Sequence, residues 1–465
     1  MSLWGWIKTV LSGKIKDEFG VKPLDDGKTG AAISECLNIY AGNPEWLNDD
    51  DYIKTINFAQ SICSEIARLV MLGTKVTVDG SARAKWLQEQ VDKYYNKFRE
   101  WVEYGCAGGN IILKPYGNGV DLEFPGQFKI IAEENGSVTA AVFESKRRSD
   151  DGQTWYRRLE YHYFDENGLY HIENRCFQSE NADGAGDPVN IAETPWAELQ
   201  EETTVEGVEK PLFALFKTPN ANNIEPESPM GLPIFHPALK ELRDLDIAYS
   251  RNSLEIQDSE KIVLLDSDRL IPDGTPVQNT TRGFERARDA MKLPHYVRNV
   301  YGDGRENFYQ EINPELRTAE RLVGINSLLS QIGFKCGFSN GYFVFNEKSG
   351  MVTATQVESD DRRTIQLIKD VRDKLESCLD GLMYALNVFA DLYDLAPAGE
   401  YEVTYDFGDI TYNREEDRQR WWGYVVAGRV PPWMYFNKFE GMSEEDAKKM
   451  VEEATPKETL FPEAE

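Results

Sequence analysis

Few residues in this chain have the type and spacing that chemistry requires. His162 and His171 fall in neighbouring stretches of period-two patterning. There they could oppose each other across a strand pair and ligate a metal. No third ligand accompanies them, and two strand histidines on a polar face is the plainer reading. Asn48-Asp49-Asp50-Asp51 is acidic enough for a cation, but it lacks the spacing and closing glutamate of an EF-hand loop. It reads as the solvated start of a helix near residues 49–51. The cysteines at 36, 63, 106, 176, 336 and 378 include no CxxC pair, so neither a zinc site nor a disulfide framework is indicated. The chain's 79 acidic residues and ten tryptophans would suit a glycoside hydrolase. With so many acids, though, any one pair is uninformative, and no Walker A or HExxH motif is present. The sequence assigns no catalytic residue, no metal and no cofactor.

Charge is the stronger signal. The net charge is −28, which favours solubility and repels nucleic acid in general. A conventional DNA-binding module would be basic. Residues 281–305 run the other way, with Arg282, Arg286, Arg288, Lys292, Arg298 and Arg305 against three acids. This stretch is either a docking surface or the solvated side of a short helix. No signal peptide is visible, no run reaches the length of a membrane span, and a reducing cytoplasm is the expected folding site. Leu3, Trp4, Ile7, Val10, Leu11 and Ile15 share one helical face. Docking on another part of the protein is expected, ahead of an interfacial membrane helix.

The elements that would position these residues follow from periodicity. Helices are predicted over 31–72, with a break at Gly42–Pro44, and over 82–104, closed by glycines 105, 108 and 109. Strands follow at 110–123, as a hairpin turning at 117–119, and at 127–132, 137–147, 154–164 and 169–177, giving one antiparallel sheet of five or six strands. Residues 178–209 read as a polar surface loop, and 211–220 as a short strand. Helices over 237–261 and 314–334 flank the turn-rich basic excursion. A glycine-bounded loop with the apolar run Tyr342–Phe345 leads into the longest helix, 355–395, opened by Thr355 and Glu358 as a capping box. Its later half, from Leu379, is apolar nearly all round. Gly381 marks a kink or the close approach of a neighbouring helix. The strand YEVTYDF, an aromatic helix–turn and a helix capped by Ser443 follow. The fold class is α+β.

The order of these elements resembles that of the portal proteins of tailed bacteriophages, in the branch found in phages and prophages of Gram-positive bacteria. Four stretches carry the likeness: GLPIFHPALKELRDLDIAYSRNSLEI; TATQVESD after the glycine loop, with Gln356 where the family usually has Glu; the long helix; and FGDITYNREEDRQRWWGYVVAGRVPPWMYF with GMSEEDAKKMV. The resemblance implies a homo-oligomeric ring, usually of twelve subunits, at one capsid vertex of a virion assembled in the bacterial cytoplasm. It implies a helical wing over 1–104 and a β-rich wing over 105–220. Stem helices would lie at 228–261 and 312–336 around a clip at 262–311. A tunnel loop at 337–354, a long wing helix at 355–396 and a crown at 397–465 complete the scheme. The six basic residues above would belong to the clip, which faces the terminase large subunit and then the head–tail adaptor. Lys335, Asn340, Asn346, Lys348 and Ser349 would line the channel for double-stranded DNA. Major capsid and scaffolding proteins are further implied partners, and no membrane is. Another virion structural protein, a minor capsid or adaptor component, is the alternative class.

Overall fold

The structure is a computed structural model. It describes residues 3–24, 27–49, 52–117, 119–182, 184, 186–258, 262–266, 297–300, 309–312, 317–345, 354–408, 414–440 and 442–454. Helix and sheet are mixed, as an α+β chain requires. Two units are separable, residues 1–71 with 76–405, and residues 72–75 with 406–465.

In the larger unit the centre is a six-stranded antiparallel sheet. Its strands are β4 (Phe128–Glu134), β5 (Ser137–Arg148), β6 (Trp155–Phe164), β7 (Tyr170–Ser179), β8 (Asp187–Val189) and β9 (Glu202–Val205). Alternation divides its side chains between two faces. On one face Val142, Leu159, Tyr161 and Phe177 cover Leu11 and Ile15 of helix α1 (Leu3–Phe19). The N-terminal helix therefore docks on the protein's own sheet. On the other face Ala141 and Phe143 meet Ile33 of α2 (Lys28–Tyr40) and Ile112 of β2 (Asn110–Tyr116).

The predicted single sheet is in fact two. The hairpin of β2 and β3 (Gly119–Glu123) leaves the six-stranded sheet and pairs instead with β10 (Ala214–Lys217), in the order β10-β2-β3. Residues 178–209 are not a free loop, since β8 and β9 both pair with β7 and Trp196 is buried.

Helix α3 (Phe58–Val70) starts well after the acidic run. Residues 54–56 are held first by α5 (Leu239–Asp258): Ser250 accepts from Lys54 N at 2.8 Å, and Asp246 accepts from Ile56 N at 3.0 Å and from Trp46 Nε1 at 2.9 Å. Asn57, at φ +51, then turns the chain into the helix. Of the acidic run, Asp49 pairs with Arg243 on the surface instead of capping a helix. Helix α4 (Ala82–Gly108) is capped by Ser81 and continues through Gly105 to Gly109 at φ +76. A Cβ at Gly105 would stand 2.4 Å from the Phe216 ring, so that glycine admits β10.

Helix α6 (Thr318–Lys335) and the 39-residue α7 (Ala354–Leu392) follow. Thr355, the predicted cap, falls inside the first turn of α7, which already begins at Ala354. α7 is assigned as continuous helix through Gly381, where an added Cβ would lie 3.1 Å from Ala214 Cβ. The neighbour that this glycine admits is strand β10, not a helix. Leu379, Leu382, Met383, Ala385, Leu386 and Ala390 are buried, while Leu392 and Tyr393 reach solvent. The charged half of α7 has its own buried face, where the Arg372 guanidinium donates to the carbonyls of Val70 (3.0 Å) and Leu69 (3.3 Å) at the end of α3. Strand β14 (Tyr401–Phe407) pairs with β1 (Thr74–Gly80).

In the smaller unit, α8 (Arg414–Val426), α9 (Pro432–Glu440) and α10 (Glu444–Ala454) share an aromatic core. The Trp422 and Tyr435 rings meet edge-on at 5.1 Å. Ser443 caps α10 as expected, accepting from Asp446 N and donating to its carboxylate.

Candidate functional site

The segment with a functional reading is a helical hairpin and the loop beyond it. Helices α5 and α6 run antiparallel. At one end Lys335 Nζ meets Glu241 at 2.6 Å, and at the other Arg321 pairs with Glu255, which also accepts from Arg317 N. As the number rises along one helix it falls along the other. Leu242, Leu245, Ile325, Leu329 and Ile332 are buried. Between the helices the chain forms a three-stranded sheet, β12 (Val297–Val300), β11 (Ile262–Asp266) and β13 (Tyr309–Ile312), in which β11 pairs parallel with β12 and antiparallel with β13.

Of the basic residues singled out there, Arg298 lies in β12, opposite Leu264. Arg282, Arg286, Arg288, Lys292 and Arg305 lie outside the described residues. Among the residues expected to line a channel, Lys335 is engaged by Glu241, and Asn340 accepts from Ser330 Oγ. Asn346, Lys348 and Ser349 lie outside the described residues. So the structure places Lys335 and Asn340 at the α6–loop junction and leaves the rest unplaced.

The loop's anchors are residues that sequence reading did not place in the site, among them Tyr342 and Phe343 of the apolar run. Phe338 is fully buried, its ring 4.7 Å from that of Phe343, which meets Phe58 of α3 at 5.0 Å. Tyr342 Oη donates to Glu65, and Ser339 N donates to Thr364 Oγ1 of α7 at 2.9 Å. At Gly337, φ +96, an added Cβ would lie 3.2 Å from Leu367 Cδ1. Residues 337–345 are therefore pinned to α3 and α7. The signal was the aromatic run itself, Phe338, Tyr342, Phe343 and Phe345 in eight residues.

Outward, the hairpin presents apolar side chains. Val323 is 70% exposed and Ile256 52%, with Tyr249 and Phe334 also open. Beside Val323 stands Gly324, where an added Cβ would meet nothing within 4 Å. A mid-helix glycine costs about 1 kcal/mol relative to alanine, and nothing among the described residues accounts for it.

The two histidines do not oppose each other. His162 pairs with Ile172, and His171 with Tyr163, so they occupy opposite faces of the sheet. His162 is buried. Tyr170 Oη accepts from Leu212 N and so donates to His162 Nδ1 (2.9 Å), which leaves Nε2–H to donate to Glu160 (3.0 Å). Burial pulls the His162 pKa below its ordinary value, consistent with this neutral tautomer. Among the described residues no group of three or more His, Cys, Asp or Glu is placed to hold a metal ion. All six thiols are free and buried, and burial pushes those of Cys106, Cys336 and Cys378 up to about 12. No described helix is long and apolar enough to cross a membrane.

Around His162 lies a buried ionic cluster that alternation in the sequence concealed. Lys114 Nζ is 2.6 Å from Glu160 and 3.4 Å from Glu123, and Arg158 also pairs with Glu160 at 2.8 Å. Lys114 and Arg158 hold the Glu160 carboxyl far below its usual range despite burial. For Glu123 burial outweighs the more distant Lys114 and raises its pKa to about 7. A carboxyl with a raised folded pKa stabilises the fold below its unfolded pKa and loses that contribution as pH rises through the folded one. Urea unfolding at pH 5.5 and 8 should therefore show the wild type losing about 2 kcal/mol more than Glu123→Gln over that interval. Equal losses would place the titration elsewhere.

Compared with known proteins, the chain matches no protein-family model and no curated protein.

Proposed function

We propose that the chain is a portal-type subunit. Copies close head-to-tail into a ring, usually of twelve, at one vertex of a phage or prophage capsid, and the ring acts by shape and not by catalysis. The observation that carries the reading is the α5–α6 hairpin. It flanks a small basic-rich excursion, leads through an aromatic-anchored loop into a 39-residue helix, and exposes Val323, Ile256 and Tyr249 beside a Gly324 that no described residue accounts for. A neighbouring copy seated on this face would account for both the apolar side chains and the glycine.

On this reading residues 228–261 and 312–336 form the stem, 262–311 the clip that docks the terminase large subunit and then the head–tail adaptor, and 397–465 the crown. Capsid and scaffolding proteins surround the ring. Each copy carries −28 formal charges. A wall of that sign suits a channel through which DNA must slide, because every phosphate neutralised by Lys or Arg adds affinity that would act as a brake. Of the loop cations, Lys335 is already neutralised by Glu241, which leaves Lys348 as the candidate for transient phosphate contact. Lys348→Glu is expected to change DNA packaging or retention in assembled heads while rings form normally. Unchanged packaging would remove the loop from the channel.

A further inference from the structure

Beside the anchored loop, an open groove of about 300 Å³ runs between α3 and α4, and polar side chains alone line it. Gln60, Ser61, Ser64 and Arg68 form one stripe of α3, because positions three or four apart share a helical face. Arg99 closes the groove from α4. Of the lining residues only Glu65 is an acid, and it is already spent. Its two oxygens accept from Arg68 Nε and Nη2, both at 2.7 Å, and Tyr342 Oη of the loop donates to it as well. The Arg68 bonds, joined by that of Tyr342, hold its carboxyl below the ordinary range.

What remains in the groove are donors. Arg68 uses two of its five N–H groups on Glu65. Arg99 is exposed and has no hydrogen bond or ion pair among the described residues, and the same holds for the Ser61 and Ser64 hydroxyls. Gln60 Oε1 accepts from Asn57 Nδ2, which leaves the Gln60 amide nitrogen as a further donor. Two guanidiniums against one carboxylate leave a local surplus of positive charge in a chain of −28. The next acids along α4 are engaged elsewhere, Glu100 with Lys97 at 2.9 Å and Glu103 with Tyr40 Oη at 2.7 Å. A cation is repelled here, and a neutral group leaves the surplus charge unanswered. A carboxylate offers two oxygens in one plane, whereas these donors converge from two helices. A tetrahedral oxyanion presents oxygens in several directions and meets both the charge and the spread of donors.

We propose that this groove binds a phosphate group, with Arg99 and Arg68 supplying the charge and Ser61, Ser64 and Gln60 the remaining hydrogen bonds. The group is free phosphate or an esterified one, as in a nucleic-acid strand, and the two sources share this chemistry. The site lies within one protomer and does not rest on the ring reading.

The test is ligand-observed NMR titration of the full chain at low ionic strength with inorganic phosphate, the dinucleotide thymidylyl-thymidine, thymidine and acetate. Phosphate, the dinucleotide or both should bind about tenfold more tightly than acetate and thymidine. A tighter dinucleotide assigns the source to a strand, and tighter phosphate assigns it to a free or terminal phosphate; either result carries the proposal. Arg99→Gln alters an exposed side chain, so circular dichroism should be unchanged while that binding weakens about tenfold. Arg99→Lys should keep part of it, since the charge stays and the planar fork is lost. Lys97→Gln removes an equal charge from α4 outside the groove and should change binding by less than about twofold. Equal weakening by Arg99→Gln and Lys97→Gln would reduce the effect to the general field of the surface. Acetate bound as tightly as phosphate would leave charge without shape. Either of these results, or no binding by any probe, overturns the proposal.

Discussion

Replacing Arg83 by methionine should destabilise the larger unit by about 3–5 kcal/mol. Arg83 is 1% exposed at the start of α4, yet its guanidinium is spent on the far end of α7. Its Nη1 donates to the Asn387 carbonyl (2.6 Å) and side chain (2.7 Å), Nη2 to Asp391 (2.5 Å) and the Ala396 carbonyl (2.7 Å), and Nε to the Pro397 carbonyl (3.2 Å). α7 has no basic residue in its own last turn, so this arginine supplies the positive charge its C-terminus lacks. A planar fork is needed to reach five acceptors, so Arg83→Lys should recover only part of the loss. Asp391→Asn should cost under about 1 kcal/mol, because that carboxylate is 54% exposed and solvent screens it. Thermal melts read the result. A loss below about 1 kcal/mol for Arg83→Met would mean that α7 is anchored by its apolar face alone.

The second large effect separates folding from assembly. Gly324→Leu should leave the protomer as stable as wild type or more stable, by about 0.5–1 kcal/mol from helix propensity, since the site is open. The same side chain should abolish ring formation, because it occupies the space a neighbouring copy needs. Val323→Asp should act in parallel: at 70% exposure its effect on folding is within about 0.5 kcal/mol, whereas burying that carboxylate at an apolar contact costs several kcal/mol per interface. Circular dichroism and sedimentation on the same samples distinguish the two. Rings that form unchanged in both variants would remove this face from the subunit contact.

Local patterning made much of this fold legible. The β2–β3 turn, the extents of β5 to β7, the Ser443 cap and the pairing of two helices around residues 262–311 all follow from period, turn residues and caps, which act over a few positions. What stayed hidden was set at long range. Strand β2 reads as the partner of its sequence neighbours, but its far edge is taken by β10, a hundred residues later. Nothing in its sequence context singles out Lys114, and it is buried because Glu160 and Glu123, on two other strands, balance it. The acidic run at 48–51 reads as a helix start, but bonds from α5 to residues 54–56 delay that start to Phe58. In the candidate site the spacing of elements was legible, whereas the aromatic anchors of the loop depend on α3 and α7, which periodicity cannot bring together.

Negative-stain imaging of the purified 53.0 kDa chain, paired with sedimentation and with imaging of assembled heads, bears most directly on the portal reading. Particles with rotational symmetry, a central opening wide enough for a duplex and a mass near twelve protomers are expected. Monomers or small open oligomers under every condition, with no such particle at a head vertex, would contradict it.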